Sequence, residues 1–118
     1  MQGKRKGAAH DMTDKQFNTL FTHAMDDADR DSFISFWESS DIWEDSDGKD
    51  HAEQIAEIWD MTHLTMRDIR SHTGLTQAAF GTRFCIPMRT IQDWEGGRRN
   101  CPPYVKLLLA QAAGCFKR

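Results

Sequence analysis

"CIPMRTIQDWEGGRR", residues 85–99, is the stretch whose reading decides the fold. A proline is followed by an isoleucine and a tryptophan three residues apart, then by two glycines and two arginines. Proline suits the first turn of a helix, where its missing N–H has no intrahelical acceptor to lose. At about 100° per residue, Ile91 and Trp94 fall on one side of a helix over Pro87–Gly96. Met88, Arg89, Gln92 and Asp93 fall on the other side. One face is anchored and the opposite face reaches outward. Gln and Arg are side chains able to pair bidentately with adenine and guanine edges. Gly96 and Gly97 release the chain and present Arg98 and Arg99 together, an arrangement suited to phosphate contacts.

Upstream lies a second short helix, Gln77–Phe84, with Thr76 as its cap. Two or three residues separate it from the helix at Pro87. Helix, tight turn and helix make a helix-turn-helix, whose second helix can enter the major groove. Gly81 sits inside the first of these helices, where glycine costs about 1 kcal/mol relative to alanine. Close approach of the two helices accounts for that cost, and a solvated surface helix does not. Phe80, Phe84, Ile91 and Trp94 are expected to form the core beneath the second helix.

These residues resemble the helix-turn-helix of lambda-repressor-like (XRE-type) regulators. The resemblance rests on Thr76-Gln77, Phe80-Gly81, Ile86, Thr90-Ile91, Trp94-Glu95 and Gly97-Arg98, and it spans about Met61 to Gly114. It implies a sequence-specific binder of double-stranded DNA. The residues expected at the DNA are Thr76, Gln77, Met88, Arg89, Thr90, Gln92, Asp93, Arg98 and Arg99. Asp93 would place an acid toward the duplex, either accepting from cytosine N4 or weakening binding. Cys85 stands where the family has a glycine in the left-handed conformation, which strains any other residue. One helix follows the loop, where many relatives have two.

Outward from this unit, caps and periodicity predict helices throughout. Thr65 with Asp68 forms a capping box, and Gly74 ends the helix it opens. Pro103 opens a last helix whose Val105, Leu107, Leu108, Leu109, Ala112 and Ala113 predict thorough burial. Toward the N-terminus, Thr13 with Gln16 caps a stripe of Phe17, Leu20, Phe21, Ala24 and Met25. A short helix follows with Phe33, Ile34, Phe36 and Trp37, then a charged, glycine-containing loop over Trp43–His51. A further helix over Ala52–His63 turns Ile55, Ile58 and Trp59 inward. No β pattern is present. The expected fold is an all-α, small helical bundle with a C-terminal helix-turn-helix unit and an N-terminal helical extension.

Charge divides the chain as sharply. Residues 1–6 carry Lys4, Arg5 and Lys6 and no acid. Residues 7–60 carry fifteen acids against Lys15, Arg30 and Lys49. Residues 61–118 carry nine bases against Asp68, Asp93 and Glu95, a net +6. A basic unit seeks an anionic partner, while the acidic half argues against nucleic acid along the whole surface. The expected organisation is a basic tail over 1–11, an acidic helical region over 12–60 and the DNA-binding unit over 61–118.

Several classes fall away. No Ser/His/Asp or Cys/His arrangement and no phosphate-cradling glycine loop is legible, so the reading is not an enzyme. Cys85, Cys101 and Cys115 lack CxxC spacing and the five histidines are dispersed, which argues for reduced thiols and against zinc or any other cofactor. No apolar run approaches a membrane span and no signal peptide is legible, so the expected location is cytoplasmic. The aromatic mass of residues 12–60 exceeds what three short helices hide alone. Part of it is expected to pack on the C-terminal unit through Ala52–His63, and part to form a homodimer interface. The function that follows is a transcriptional repressor of a mobile-element or phage-type operon. The alternatives are an antitoxin with autoregulatory DNA binding, or an anti-CRISPR-type inhibitor of a host defence complex that engages a protein partner through the acidic half.

Overall fold

The computed structural model describes residues 12–44 and 46–118; the basic tail expected over 1–11 lies outside them. Among the described residues there are seven α-helices and no strand, so the protein is all-α. It divides into an N-terminal unit ending at Thr62 and a C-terminal unit over His63–Arg118.

In the N-terminal unit, α1 (Asp14–Ala24) opens on the expected capping box. The Thr13 hydroxyl accepts from the Gln16 N–H at 3.0 Å, and the Gln16 side chain accepts from the Thr13 N–H at 2.9 Å. Two otherwise orphaned donors are thereby satisfied. Asp29 caps α2 (Arg30–Glu38) through the Ser32 N–H. Helix α3 (Ala52–Thr62) packs on both α1 and α2. Leu20, Phe33, Ile55 and Ile58 meet in the core, each contributing about 1.5–3 kcal/mol by leaving water. An exposed ion pair joins Arg30 to Asp60 at 2.7 Å.

The segment between α2 and α3 is the charged loop expected of it, with two rings buried beneath it. Trp43 is buried; its indole N–H donates to the Trp37 carbonyl at 2.7 Å, and its ring stacks on His51 at 4.1 Å. His51 is also buried, held by the Ser46 hydroxyl and the Gln54 side chain at 2.9 Å each. A 3₁₀ turn, Gly48–His51, carries the chain over this stack. Glu44, Asp47 and Asp50 of the segment are exposed. The expected excess of aromatic mass shrinks accordingly: Phe17, Phe33, Trp37 and Trp43 are buried, and Phe36, 65% exposed, is the ring left outside.

In the C-terminal unit, α4 (Met66–Thr73) opens on the Thr65–Asp68 capping box and ends at Gly74 with φ 75°. Helix α5 (Gln77–Phe84) packs on α6 (Met88–Glu95), and α4 packs on α6 and on α7 (Pro103–Ala112). Phe80 and Ile91 are fully buried. Phe84 and Trp94, expected beside them, are only half-buried. Helix α7 also departs from expectation: Leu109 and Ala110 are buried, but Tyr104 and Leu108 stand one turn apart on an exposed face. Its near-continuous apolar sequence carries no periodic signal to separate the two faces.

The close approach inferred at Gly81 is present. A Cβ there would lie 2.6 Å from the Ile86 carbonyl oxygen and 3.2 Å from Ile91 Cδ1. The turn is made by Cys85 at φ 58° and ψ 40°, the one non-glycine positive φ among the described residues, followed by the Ile86 N–H donating to the Gly81 carbonyl at 2.9 Å. Left-handed backbone costs an L-residue about 1–2 kcal/mol, part of which glycine gives back through a freer unfolded chain. Cys85→Gly is therefore expected to raise the unfolding free energy by about 0.5 kcal/mol in a urea titration. A lower midpoint would mean that the exposed thiol makes contacts worth more than the strain.

Candidate nucleic-acid interface

The outward face of α6 is set by its anchor. With Ile91 buried, Met88, Arg89 and Gln92 are exposed, and Arg98 and Arg99 stand beside them. Gly97 brings the two arginines there: at φ 79° it reverses the chain, so that the N–H groups of Arg98 and Arg99 donate to the Asp93 carbonyl at 2.9 and 3.3 Å. Thr90 is half-buried. Thr76 is exposed at the start of α5, where its hydroxyl is occupied in accepting from the Ala79 N–H at 3.1 Å.

Asp93 does not stand outward with its neighbours, contrary to its place on the helical projection. It is 9% exposed. Arg99 Nε lies 3.3 Å from its carboxylate, Arg98 Nη1 3.7 Å and Arg89 Nε 3.9 Å. The burial comes from these long side chains and the returning loop rather than from the core. The acid is thus turned toward its own arginines, and the group carries two net positive charges rather than an outward-facing anion. Each of these pairs is highly exposed on the arginine side, so they confine the guanidiniums without contributing much stability.

Gln77 is also committed inward. Its Nε2 donates to Glu95 Oε1 at 3.0 Å. Glu95, its side chain only 1% exposed, further accepts from Arg70 through Nε at 2.7 Å and Nη2 at 3.0 Å. Arg67 stands 3.5 Å away on the outer side, and Arg70 also donates to the Leu75 carbonyl. Bonding from Arg70, then from Gln77 and Arg67, holds the Glu95 carboxyl below the usual glutamate range although burial opposes this. The same pairing raises Arg70. This knot ties α4, the start of α5 and the end of α6 together. It fixes the pitch of the exposed α6 face. In the sequence Glu95 stands only as part of the Trp94-Glu95 motif, and Arg67 and Arg70 belong to no motif. Their spacing on α4, three residues apart with an acid to meet, was the signal available.

Four cationic side chains are mostly exposed, Arg89, Arg98 and Arg99 around Asp93 and Arg67 beside Glu95, and Gln92 is exposed on the same helix as Arg89. Among the described residues no group of histidines, cysteines and acids is placed to hold a metal ion. No helix among them is long and apolar enough to cross a membrane. In comparisons with known proteins, no family model, curated protein or solved structure matches the chain.

Proposed function

We propose that the C-terminal unit is a helix-turn-helix module that reads double-stranded DNA, with α6 as recognition helix, and that the protein represses a mobile-element or phage-type operon. The observation that carries this reading is the single face on which Arg89 and Gln92 are exposed beside Arg98 and Arg99, on a helix seated by Ile91 and by the close turn at Gly81. Arg89 and Gln92 have the donor geometry for base edges, and the arginine pair has the placement for phosphates. Met88 borders the same face and suits apolar contact with a thymine methyl group. Asp93 takes the role of gathering the arginines, which removes it from base reading.

The proposal includes a homodimer, since one such unit reads only a few base pairs. Two recognition helices about 34 Å apart reach successive major-groove turns. Tyr104 and Leu108 on α7 offer exposed apolar surface for the two-fold contact.

Arg89→Ala is expected to weaken a specific site by roughly 1–3 kcal/mol and to relax base preference at one position. Arg98→Ala is expected to weaken all sequences alike and to lower the slope of log affinity against log salt by about one. Selection from a fragment library followed by salt-dependent binding measurements separates the two. The absence of salt-dependent binding to any duplex would end the DNA reading and turn attention to a protein partner of the acidic half.

A further inference from the structure

The N-terminal unit carries a feature that DNA reading does not use. An open cleft of 390 Å³ lies where the last turns of α1 and α2 meet, lined by His23, Asp26, Asp27, Ala28, Phe36 and Trp37. Its walls are aromatic. The Phe36 ring stands edge-on to Trp37 at 5.0 Å, and His23 lies 5.1 Å from Trp37 on another side. Phe36 is 65% exposed, an apolar ring kept in water although a core lies one residue away at Trp37. The rim is anionic: the Asp26 carboxylate has no ion pair among the described residues, and Asp27 uses one oxygen to accept from the Asp29 N–H. Both helices also point their C-terminal, partially negative ends here, and α2 has no basic residue in its last turn.

One indole N–H on a lining residue differs from its counterparts in the unit. The indole N–H groups of Trp43 and Trp59 donate to the carbonyls of Trp37 and Asp27. That of Trp37, on a residue only 9% exposed, has no acceptor among the described residues. Buried donors are nearly always paired, by protein or by water, so this N–H is open to an acceptor from outside. We infer that the cleft binds an arginine- or lysine-bearing segment of a partner protein: the cation sits against Phe36 and Trp37 under Asp26 and Asp27, and a backbone carbonyl of the segment accepts from the Trp37 indole. Aromatic faces attract cations and the two carboxylates add charge of the right sign. A nucleic acid or an acidic peptide is repelled by the same groups. This inference is independent of the DNA reading, which concerns the other unit.

The full chain, labelled with ¹⁵N, is titrated with the capped peptide Gly-Arg-Gly-Arg-Gly, with Gly-Glu-Gly-Glu-Gly and a duplex oligonucleotide as parallel arms. The Trp37 indole resonance is expected to move saturably with the arginine peptide alone, while those of Trp43 and Trp94 stay in place. Asp26→Asn removes a charge and Phe36→Ala a ring, both on side chains that the fold leaves exposed, and each is expected to weaken binding about fivefold at unchanged melting temperature. A shift spread over the acidic surface without Trp37, an equal response to the glutamate peptide or the duplex, or indifference to both substitutions would overturn the inference.

Discussion

Glu95→Ala is expected to remove about 3 kcal/mol from the stability of the C-terminal unit, most of what a unit of this size has. The carboxylate is 1% exposed and receives Arg70 twice, Gln77 once and Arg67 at longer range. Removing it strands the Arg70 guanidinium, whose side chain is 19% exposed, with the Leu75 carbonyl as its remaining partner. Breaking one side of a buried pair typically costs about 3–5 kcal/mol. The lower end applies because Arg70 reaches some water. Urea unfolding read by circular dichroism, with amide exchange in α4 to α6 assigning the loss, makes the measurement. Glu95→Gln keeps an acceptor for Arg70 and is expected to lose about half as much. Replacing Arg70 and Glu95 together by leucine is expected to recover part of the loss, since no charge is then left unpaired. A loss under 1 kcal/mol for Glu95→Ala would show that water replaces the carboxylate freely.

The same pair sets an acid limit. The Glu95 carboxyl lies below its ordinary value of 4.5 in the folded protein, so the unfolded chain binds its proton first. Its contribution is complete above the ordinary value and is lost as pH falls through the folded one. Asp68, lowered by its bonds to the Thr65 backbone and hydroxyl, acts in the same direction at the start of α4.

How much of this was legible follows from the kind of signal each residue leaves. Caps are local and survive in the sequence: Thr13, Thr65 and Thr76 each cap as their spacing indicates, and Gly74 ends α4 in the left-handed conformation. Gly81 was legible because its cost in a helix demands a reason, and the Ile86 carbonyl is that reason. Asp93 misled because a helical projection knows nothing of a chain that turns back. Its burial depends on Gly97 sending Arg98 and Arg99 over it. Glu95 and Arg70 are 25 residues apart, beyond any local periodicity. His51 and Trp43 sat in a segment whose acids dominate its composition, so two buried rings were read as part of a loop. With Ile91 buried, Arg89 and Gln92 are exposed, as their places on the helical projection indicate.

The loop between α2 and α3 is tightly packed at Gly48. Gly48→Ala is expected to destabilise the N-terminal unit by at least about 3 kcal/mol, the upper end for overpacking. Glycine is needed here for space, since its φ is not positive. A Cβ at this position would collide with the Glu38 carbonyl and come within 2.8 Å of Trp43 Cδ1. Neither neighbour can retreat cheaply. The Glu38 carbonyl is backbone at the end of α2, just after Trp37 in the core. The Trp43 ring is held on one side by its bond to the Trp37 carbonyl and on the other by the stacked His51, which Ser46 and Gln54 fix in turn. Relief therefore requires the 3₁₀ turn to lift, exposing Trp43 and His51 together. The expected signature is a red-shifted tryptophan emission with an earlier melting transition, and faster amide exchange at Gln54 and Ile55 in the first turn of α3. In the C-terminal unit, α4 to α7 should keep their exchange protection. A Gly48→Ala protein that melts with the parent would mean that the turn yields without cost, and the Trp43–His51 stack would then not be what closes this end of the unit.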